Sequence, residues 1–256
     1  MPRVARIVIP DCPHHITQRG NNRQDVFFVP DDYALYLRIL REQANRYGLD
    51  VHAYCLMTNH IHLVATPLTE TSLAKAVGRT HWLYTQTVNR LHGRSGHLWQ
   101  NRFYSCALDR RHFWAAVRYV ERNPLRANLH RKAWLYPWSS AAAHCNRKTG
   151  TGTSGASRAS KDVPVTLSGQ GDSAGLLDLR RWRKTMGGEE WEAELMRPDK
   201  TDEVSALQAG TANGRPLGTD SFLSKVEKAL GRRVRPLPVG RPCKRTKERE
   251  EIGDCP

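Results

Sequence analysis

The sequence predicts an α+β fold of the ferredoxin-like, split βαβ type, with a tyrosine-bearing helix added after the sixth element. Two observations predict this fold class. Short segments alternate apolar and polar residues as strands do, while longer segments space apolar residues three or four positions apart as helices do. Over residues 1–145 these segments follow one another in the order β-α-β-β-α-β-α.

The first strand and the first helix are marked by the residues at their ends. Residues 14–19 form the predicted strand, and the Gly and Asn residues that follow favour a turn. Asp31 or Asp32 is expected to cap a helix that runs to about Tyr47. Gly48 comes next, and glycine commonly ends helices because it adopts the left-handed conformation.

A hairpin and a second helix come next. Residues 51–57 and 61–65 are strand-like, and their short separation predicts a hairpin with Thr58 and Asn59 in the turn. Residues 72–91 have the apolar spacing of a helix.

The last strand and helix complete the predicted order. Residues 98–108 are expected to be extended, and Asp109 is expected to cap a helix that continues to about Glu121. Pro124 stops that helix, because proline lacks the N–H that a helix interior requires.

The composition favours a polyanionic partner. The 256 residues include 40 Lys and Arg against 25 Asp and Glu, a net charge of +15, and clustered cations bind nucleic acids through counterion release. An anionic membrane surface would attract the same charge, but no segment approaches the roughly 20 apolar residues that cross a bilayer. The six cysteines form no CxxC pair, which favours reduced thiols. We therefore expect a cytoplasmic, nucleoid-associated protein that binds DNA and no membrane.

The composition also divides the chain into three regions. Residues 1–145 hold most of the aromatic side chains and form the predicted domain. Residues 146–175 are rich in Gly, Ser and Thr and are expected to be a flexible linker. Residues 176–256 are expected to form a small accessory basic region that is partly helical, with disorder allowed toward its end.

Two histidines lie one residue apart in the second strand of the predicted hairpin. Because residues i and i+2 of a strand share a face, His60 and His62 project together, while Ile61 and Leu63 point to the other face. Two adjacent imidazoles can bind a divalent metal if at least one further ligand is present. The alternative is that both are polar residues on the solvated face of an edge strand.

A tyrosine and an asparagine share one face of the last predicted helix. Tyr119 and Asn123 are four residues apart. A tyrosine hydroxyl can attack a phosphodiester and hold DNA as a covalent ester, and the amide of Asn123 could supply an oxygen ligand to a metal. Arg118, Arg122 and Arg126 are expected to attract backbone phosphates. The helix pattern alone favours the alternative that Tyr119 is a core aromatic.

A third group of residues interleaves aromatic and basic side chains. Such a pattern suits the stacking of single-stranded bases, although most of these aromatics are expected in the core. Arg102 is the member of the group that we expect to contact DNA. The group comprises Trp82, Tyr84, Trp99, Phe103 and Tyr104 with Arg79, Arg90, Arg94 and Arg102.

Five separated motifs, taken together and in order, resemble the REP-associated tyrosine transposases, which belong to the HUH group of single-strand DNA transposases. The resemblance covers about residues 1–145. The motifs are MPR-x-AR, HHITQRGNNRQDVFF, AYCLMTNHIHLVATP, GHLWQNRFYS and YVERNPLRANL.

This resemblance implies a ferredoxin-like catalytic domain that acts on DNA hairpins. It implies that His60 and His62 are the paired metal ligands, that Asn123 is the polar third ligand, and that the metal is Mg²⁺ or Mn²⁺. It also implies that Tyr119 is the nucleophile and forms a 5′-phosphotyrosine link to the DNA. The long region beyond residue 146 departs from minimal members, and the sequence leaves both a monomer and a homodimer open.

Three other functions fit parts of the same pattern. A replication or relaxation initiator would use the same chemistry at a defined origin. A non-catalytic nucleic-acid-binding regulator would fit the charge equally well. A metal phosphoesterase that uses the histidine pair without the tyrosine would cleave DNA but form no covalent adduct.

Overall fold

Four antiparallel strands form the central sheet of the protein. The computed structural model describes residues 6–147 and 175–235. The strands lie in the order β2-β3-β1-β4, so that β3 separates β1 from β2 as a split βαβ fold requires. The predicted fold class is therefore confirmed. The strands are β1 His14–Arg19, β2 Leu49–Met57, β3 His60–Pro67 and β4 Tyr104–Ala107.

Nine helices accompany the sheet within the described ranges. None of them is long and apolar enough to cross a membrane. The helices are α1 Pro30–Tyr47, α2 Ser72–Leu91, α3 Arg110–Glu121, α4 Asn123–Arg126, α5 Ala141–His144, α6 Leu179–Thr185, α7 Gly188–Met196, α8 Thr201–Asn213 and α9 Asp220–Leu230.

Helices α1 and α2 cover one face of the sheet. Ile61 and Leu63 of β3 are fully buried there against Leu37 and Leu40 of α1. The carboxylate of Asp32 accepts the backbone N–H groups of Phe28 at 2.7 Å and Val29 at 3.1 Å, which satisfies donors at the start of α1. The predicted end of this helix is also confirmed, because Gly48 has a φ of 64°.

Helix α3 and the C-terminal helices cover the opposite face. Val117 and Val120 of α3 pack with Val64 of β3 in a second core. Trp191 of α7 and Leu207 of α8 complete this core, with relative exposures of 1% and 2%. Helices α7 and α8 of the C-terminal region contact α3 directly. Residues 148–174 of the predicted linker and 236–256 of the tail lie outside the described residues.

One predicted element is shorter than expected. Residues 98–108 were expected to be extended throughout, but only 104–107 form a strand. The Nε2 atom of Gln18 donates to the carbonyls of Gln100 and Asn101, both at 3.1 Å, and Asn101 adopts a left-handed φ of 55°. The backbone N–H of Gln100 still donates to the carbonyl of Arg19 at 2.8 Å, so the ladder with β1 is interrupted only between Gln100 and Tyr104, where these side-chain hydrogen bonds hold a loop.

Candidate active site

The imidazoles of His60 and His62 lie together on the face of the sheet that carries α3. Their ring centroids are 5.1 Å apart, while Ile61 between them is buried on the other face. The expected alternation along β3 is therefore confirmed.

Hydrogen bonding fixes the proton position of His60. The Nδ2 atom of Asn59 donates to the carbonyl of Arg23 at 3.1 Å, which leaves Oδ1 of the same amide 2.6 Å from Nδ1 of His60. An amide oxygen only accepts, so Nδ1 of His60 carries the proton and Nε2 is an unprotonated nitrogen. Burial, with a smaller effect of Arg19, lowers the pKa of His60 to about 4, so the ring is neutral at physiological pH.

His62 belongs to a second hydrogen-bonded set. Its Nδ1 atom lies 3.0 Å from Nε2 of His15 on β1, and the two rings are stacked. Nδ1 of His15 lies 2.7 Å from Oγ1 of Thr211 on α8. Burial, together with the nearby His15, His60 and Arg126, lowers the pKa of His62 well below its ordinary value. Both histidines of β3 therefore have the neutral form that binds metals.

The phenol of Tyr119 lies beside these rings. Its ring centroid is 5.5 Å from that of His62 and 5.6 Å from that of His15, in edge-on geometry. The guanidinium carbon of Arg126 lies 4.1 Å from the tyrosine centroid, and Nε2 of Gln208 donates to the hydroxyl at 3.3 Å. The fold thus brings Tyr119 of α3 next to the histidine pair of β3, although Tyr119 lies 57 residues after His62 in the sequence.

Asn123 follows the tyrosine helix rather than extending it. Helix α3 ends at Glu121, and Asn123 begins α4, as expected from Pro124. The Nδ2 atom of Asn123 donates to the carbonyls of Tyr119 at 3.3 Å and Val120 at 3.1 Å. These bonds use the amide nitrogen, so Oδ1 is the atom with which this side chain could bind a metal.

The donor set suits a divalent metal with a mixed ligand shell. In the part of the chain that the structure describes, no group of three or more His, Cys, Asp or Glu residues is arranged to hold a metal. His60 and His62 supply two neutral imidazoles, and the amide oxygen of Asn123 could supply a third ligand. Imidazole and amide oxygen together suit several divalent ions.

The three arginines that were expected to contact DNA form hydrogen bonds to a carboxylate within the protein. Arg118 and Arg122 are each 8% exposed, and both donate to a carboxylate oxygen of Asp199, at 3.2 and 2.8 Å. Arg126 reaches the other oxygen of Asp199 at 3.2 Å. The single carboxylate of Asp199 balances only one of these three positive charges, so contact of these arginines with DNA phosphates stays a prediction. Arg102, in contrast, is exposed.

A buried carboxylate anchors the end of the tyrosine helix. Glu121 is fully buried and contacts three polar side chains from later in the chain. Its Oε1 atom accepts from Ser140 and lies 2.5 Å from Nδ1 of His144, while Oε2 accepts from Nε1 of Trp191 at 2.7 Å. Because Glu121 lies two residues after Tyr119, this cluster fixes the helix that carries the phenol.

Sequence reasoning missed four residues that the structure places at the site. His15 and Arg19 lie on β1, where their alternation with buried Ile16 and Gln18 was the available signal. Arg19 is exposed and pairs in register with His60. Gln208 and Thr211 lie on α8, about 90 residues beyond Tyr119, and no local pattern marks them.

Comparison with known proteins finds similarity to transposases. Residues 8–123 match the family described as transposase IS200 like. A structure of a REP-associated tyrosine transposase bound to a REP hairpin has a TM-score of 0.50 and 15% identity, covering 62% of this chain and 100% of that chain. A proposed transposase from Deinococcus radiodurans R1 has a TM-score of 0.33 and 20% identity, covering 47% of this chain and 97% of its own. No curated protein matches the sequence.

Proposed function

We propose that this protein, whose residues 8–123 match the family described as transposase IS200 like, nicks and rejoins single-stranded hairpin DNA through a covalent bond to Tyr119. The observation that carries the proposal is the 5.5 Å separation of the Tyr119 and His62 rings. The tyrosine of α3 and the pair of neutral imidazoles of β3 thus lie on one face of the sheet, which supports this proposal.

The proposed reaction is a transesterification at phosphorus. The hydroxyl oxygen of Tyr119 forms a bond to the phosphorus as the bond from phosphorus to the 3′ oxygen breaks. The tyrosine proton passes to water, and the leaving 3′ oxygen takes up a proton, so the step needs no oxidant or reductant. The DNA is then held as a 5′-phosphotyrosine ester, and attack by a 3′ hydroxyl reverses the chemistry and rejoins a strand.

A divalent metal, Mg²⁺ or Mn²⁺, is proposed to be held by His60, His62 and Asn123. When bound, it would polarise the scissile phosphate. The remaining tasks belong to the protein. The sheet orients both imidazoles, Gln208 and Arg126 hold the phenol, and the buried Glu121 cluster keeps α3 at a fixed position on the sheet.

The covalent intermediate gives the direct test of this function. End-labelled single-stranded hairpins from repeats around the gene are incubated with the full-length protein, with and without Mn²⁺, and resolved on a denaturing gel. We expect a metal-dependent adduct that disappears in Tyr119→Phe, which removes only the hydroxyl, while hairpin binding persists. Binding with no adduct for any such hairpin would favour a non-catalytic regulator, and cleaved DNA with no adduct would favour a metal phosphoesterase.

The exposed arginines predict how binding responds to salt. We propose that Arg102 contacts a DNA phosphate, whereas Arg122, held by Asp199, does not. Arg102→Ala is therefore expected to reduce the slope of log affinity against log salt concentration by about 0.7 for single-stranded DNA, the contribution of one phosphate contact. Arg122→Ala is the matched control and is expected to leave the slope unchanged. Fluorescence anisotropy over a salt series measures both, and a reduced slope in Arg122→Ala alone would reverse the assignment.

A further inference from the structure

We infer that Thr211 and His15 act as positioning residues that set the proton on Nδ1 of His62 and so keep its Nε2 atom available as a metal ligand. The inference rests on the proposed function for its purpose, since a metal-binding role for His62 gives the proton position its importance. The proton position itself follows from three consecutive hydrogen bonds.

The first bond determines the direction of the other two. Oγ1 of Thr211 donates its single hydrogen to the carbonyl of Leu207 at 2.7 Å. That hydroxyl can therefore only accept from the imidazole of His15, whose Nδ1 atom lies 2.7 Å away. Nδ1 of His15 consequently carries a hydrogen.

The hydrogen bond between His15 and His62 extends this constraint to His62. Among the described residues, the ring of His15 hydrogen-bonds to two uncharged groups, the hydroxyl of Thr211 and the imidazole of His62, and at 1% exposure its burial favours the neutral form. A neutral imidazole protonated on Nδ1 has a lone pair on Nε2. That atom accepts across the 3.0 Å contact, and Nδ1 of His62 is the donor.

The third step concerns the free nitrogen of His62. With the hydrogen on Nδ1, Nε2 holds the lone pair that a divalent metal requires. His60 reaches the same tautomer by another route, through Asn59. Both histidines of β3 therefore have an unprotonated Nε2 atom before any metal arrives, which removes the cost of moving a proton on binding.

Thr211, the residue that sets this proton position, lies outside the part of the chain that matches the family. Thr211 is on α8, and the match covers residues 8–123. Helix α8 is held on the sheet by the buried Leu207 one turn before Thr211. The C-terminal region therefore has a specific role in the metal site, in addition to covering the second core.

The variant Thr211→Val separates this role from packing. Valine has the shape of threonine but cannot accept a hydrogen bond, so His15 is free to place its hydrogen on Nε2 and donate to His62. The hydrogen of His62 would then move to Nε2, the atom needed by the metal. Thr211→Ser keeps the hydroxyl and is the matched control.

The test uses the full-length, metal-free protein without DNA. Two-bond ¹H–¹⁵N correlation spectra of histidine-labelled protein report which ring nitrogen carries hydrogen, and the His62 signals are assigned by their loss in His62→Gln. We expect His62 to be protonated on Nδ1 in the wild type and in Thr211→Ser, and on Nε2 to a large extent in Thr211→Val. Electron paramagnetic resonance of free Mn²⁺ is expected to show about 10-fold weaker binding to Thr211→Val.

The outcomes distinguish this inference from the proposed function. A wild-type His62 protonated on Nε2 would overturn the inference even if the protein forms the covalent adduct. An unchanged tautomer and unchanged Mn²⁺ affinity in Thr211→Val would overturn the role of Thr211. If the wild type shows the expected tautomer and binds Mn²⁺ but forms no adduct, the proposed function fails while the inference stands. Should Thr211→Val fail to fold, the wild-type spectrum still decides the proton position.

Discussion

Glu121→Ala is expected to lower the free energy of unfolding by about 3–5 kcal/mol, the usual cost of removing one member of a buried ionic cluster. The carboxylate is fully buried and receives hydrogen bonds from Ser140 and Trp191, with Nδ1 of His144 2.5 Å from its Oε1. Removing it takes the acceptor from Nδ1 of His144 and Nε1 of Trp191 in the core, and each must then be desolvated without compensation, whereas the hydroxyl of Ser140 keeps the carbonyl of Tyr54 at 3.3 Å. Urea unfolding followed by circular dichroism measures the change.

A second glutamate of the same region supplies the matched control. Glu192 pairs with Arg147 at 2.9 Å, but the arginine side chain is 57% exposed. Exposed pairs contribute at most about 1 kcal/mol, so Glu192→Ala should unfold close to the wild type. Equal losses in the two variants would show that the buried cluster does not anchor the tyrosine helix as described.

The sequence was sufficient to predict the elements that local patterns determine. The strand alternation of His60 and His62 and the glycine that ends α1 are set by residues within a few positions, and the structure confirms both. The position of Tyr119 beside the pair followed from element order together with the family resemblance. None of these three predictions required knowledge of the C-terminal region.

The parts that could not be predicted depend on contacts between distant residues. Arg118 and Arg122 lie four positions apart in the chain, but that spacing does not reveal what covers their side chains. Asp199, 77 residues beyond Arg122, covers them. Thr211 reaches His15 across 196 residues, and a threonine inside a helix carries no sequence signal for that contact. Such pairs are chosen by packing in three dimensions, which a single sequence does not record.

Acid is expected to destabilise the protein steeply below pH 6.5, because several histidines are buried without a carboxylate partner. Burial lowers the pKa of His81 to about 3, with a smaller effect from Arg6, and lowers the pKa of His14 to about 4. In the unfolded chain both rings take up a proton near pH 6.5, whereas in the folded chain they remain neutral. The contribution of these two histidines to the free energy of unfolding is therefore fully present above pH 6.5. It falls as the pH drops toward 3, by roughly 1 kcal/mol per pH unit for each group.

His81→Gln tests this pH dependence at a site away from the tyrosine. His81 pairs with the hydroxyl of Tyr36 at 3.0 Å and stacks on Trp99, and glutamine keeps an acceptor for that hydroxyl but does not titrate. The variant is expected to lose stability less steeply than the wild type between pH 6.5 and 4, by roughly 1 kcal/mol per pH unit. His97→Gln, which makes the same replacement at an exposed position, is the control. Parallel urea-derived stability curves for His81→Gln and the wild type would show that His81 takes up its proton equally in the folded and unfolded chains, contrary to the burial argument.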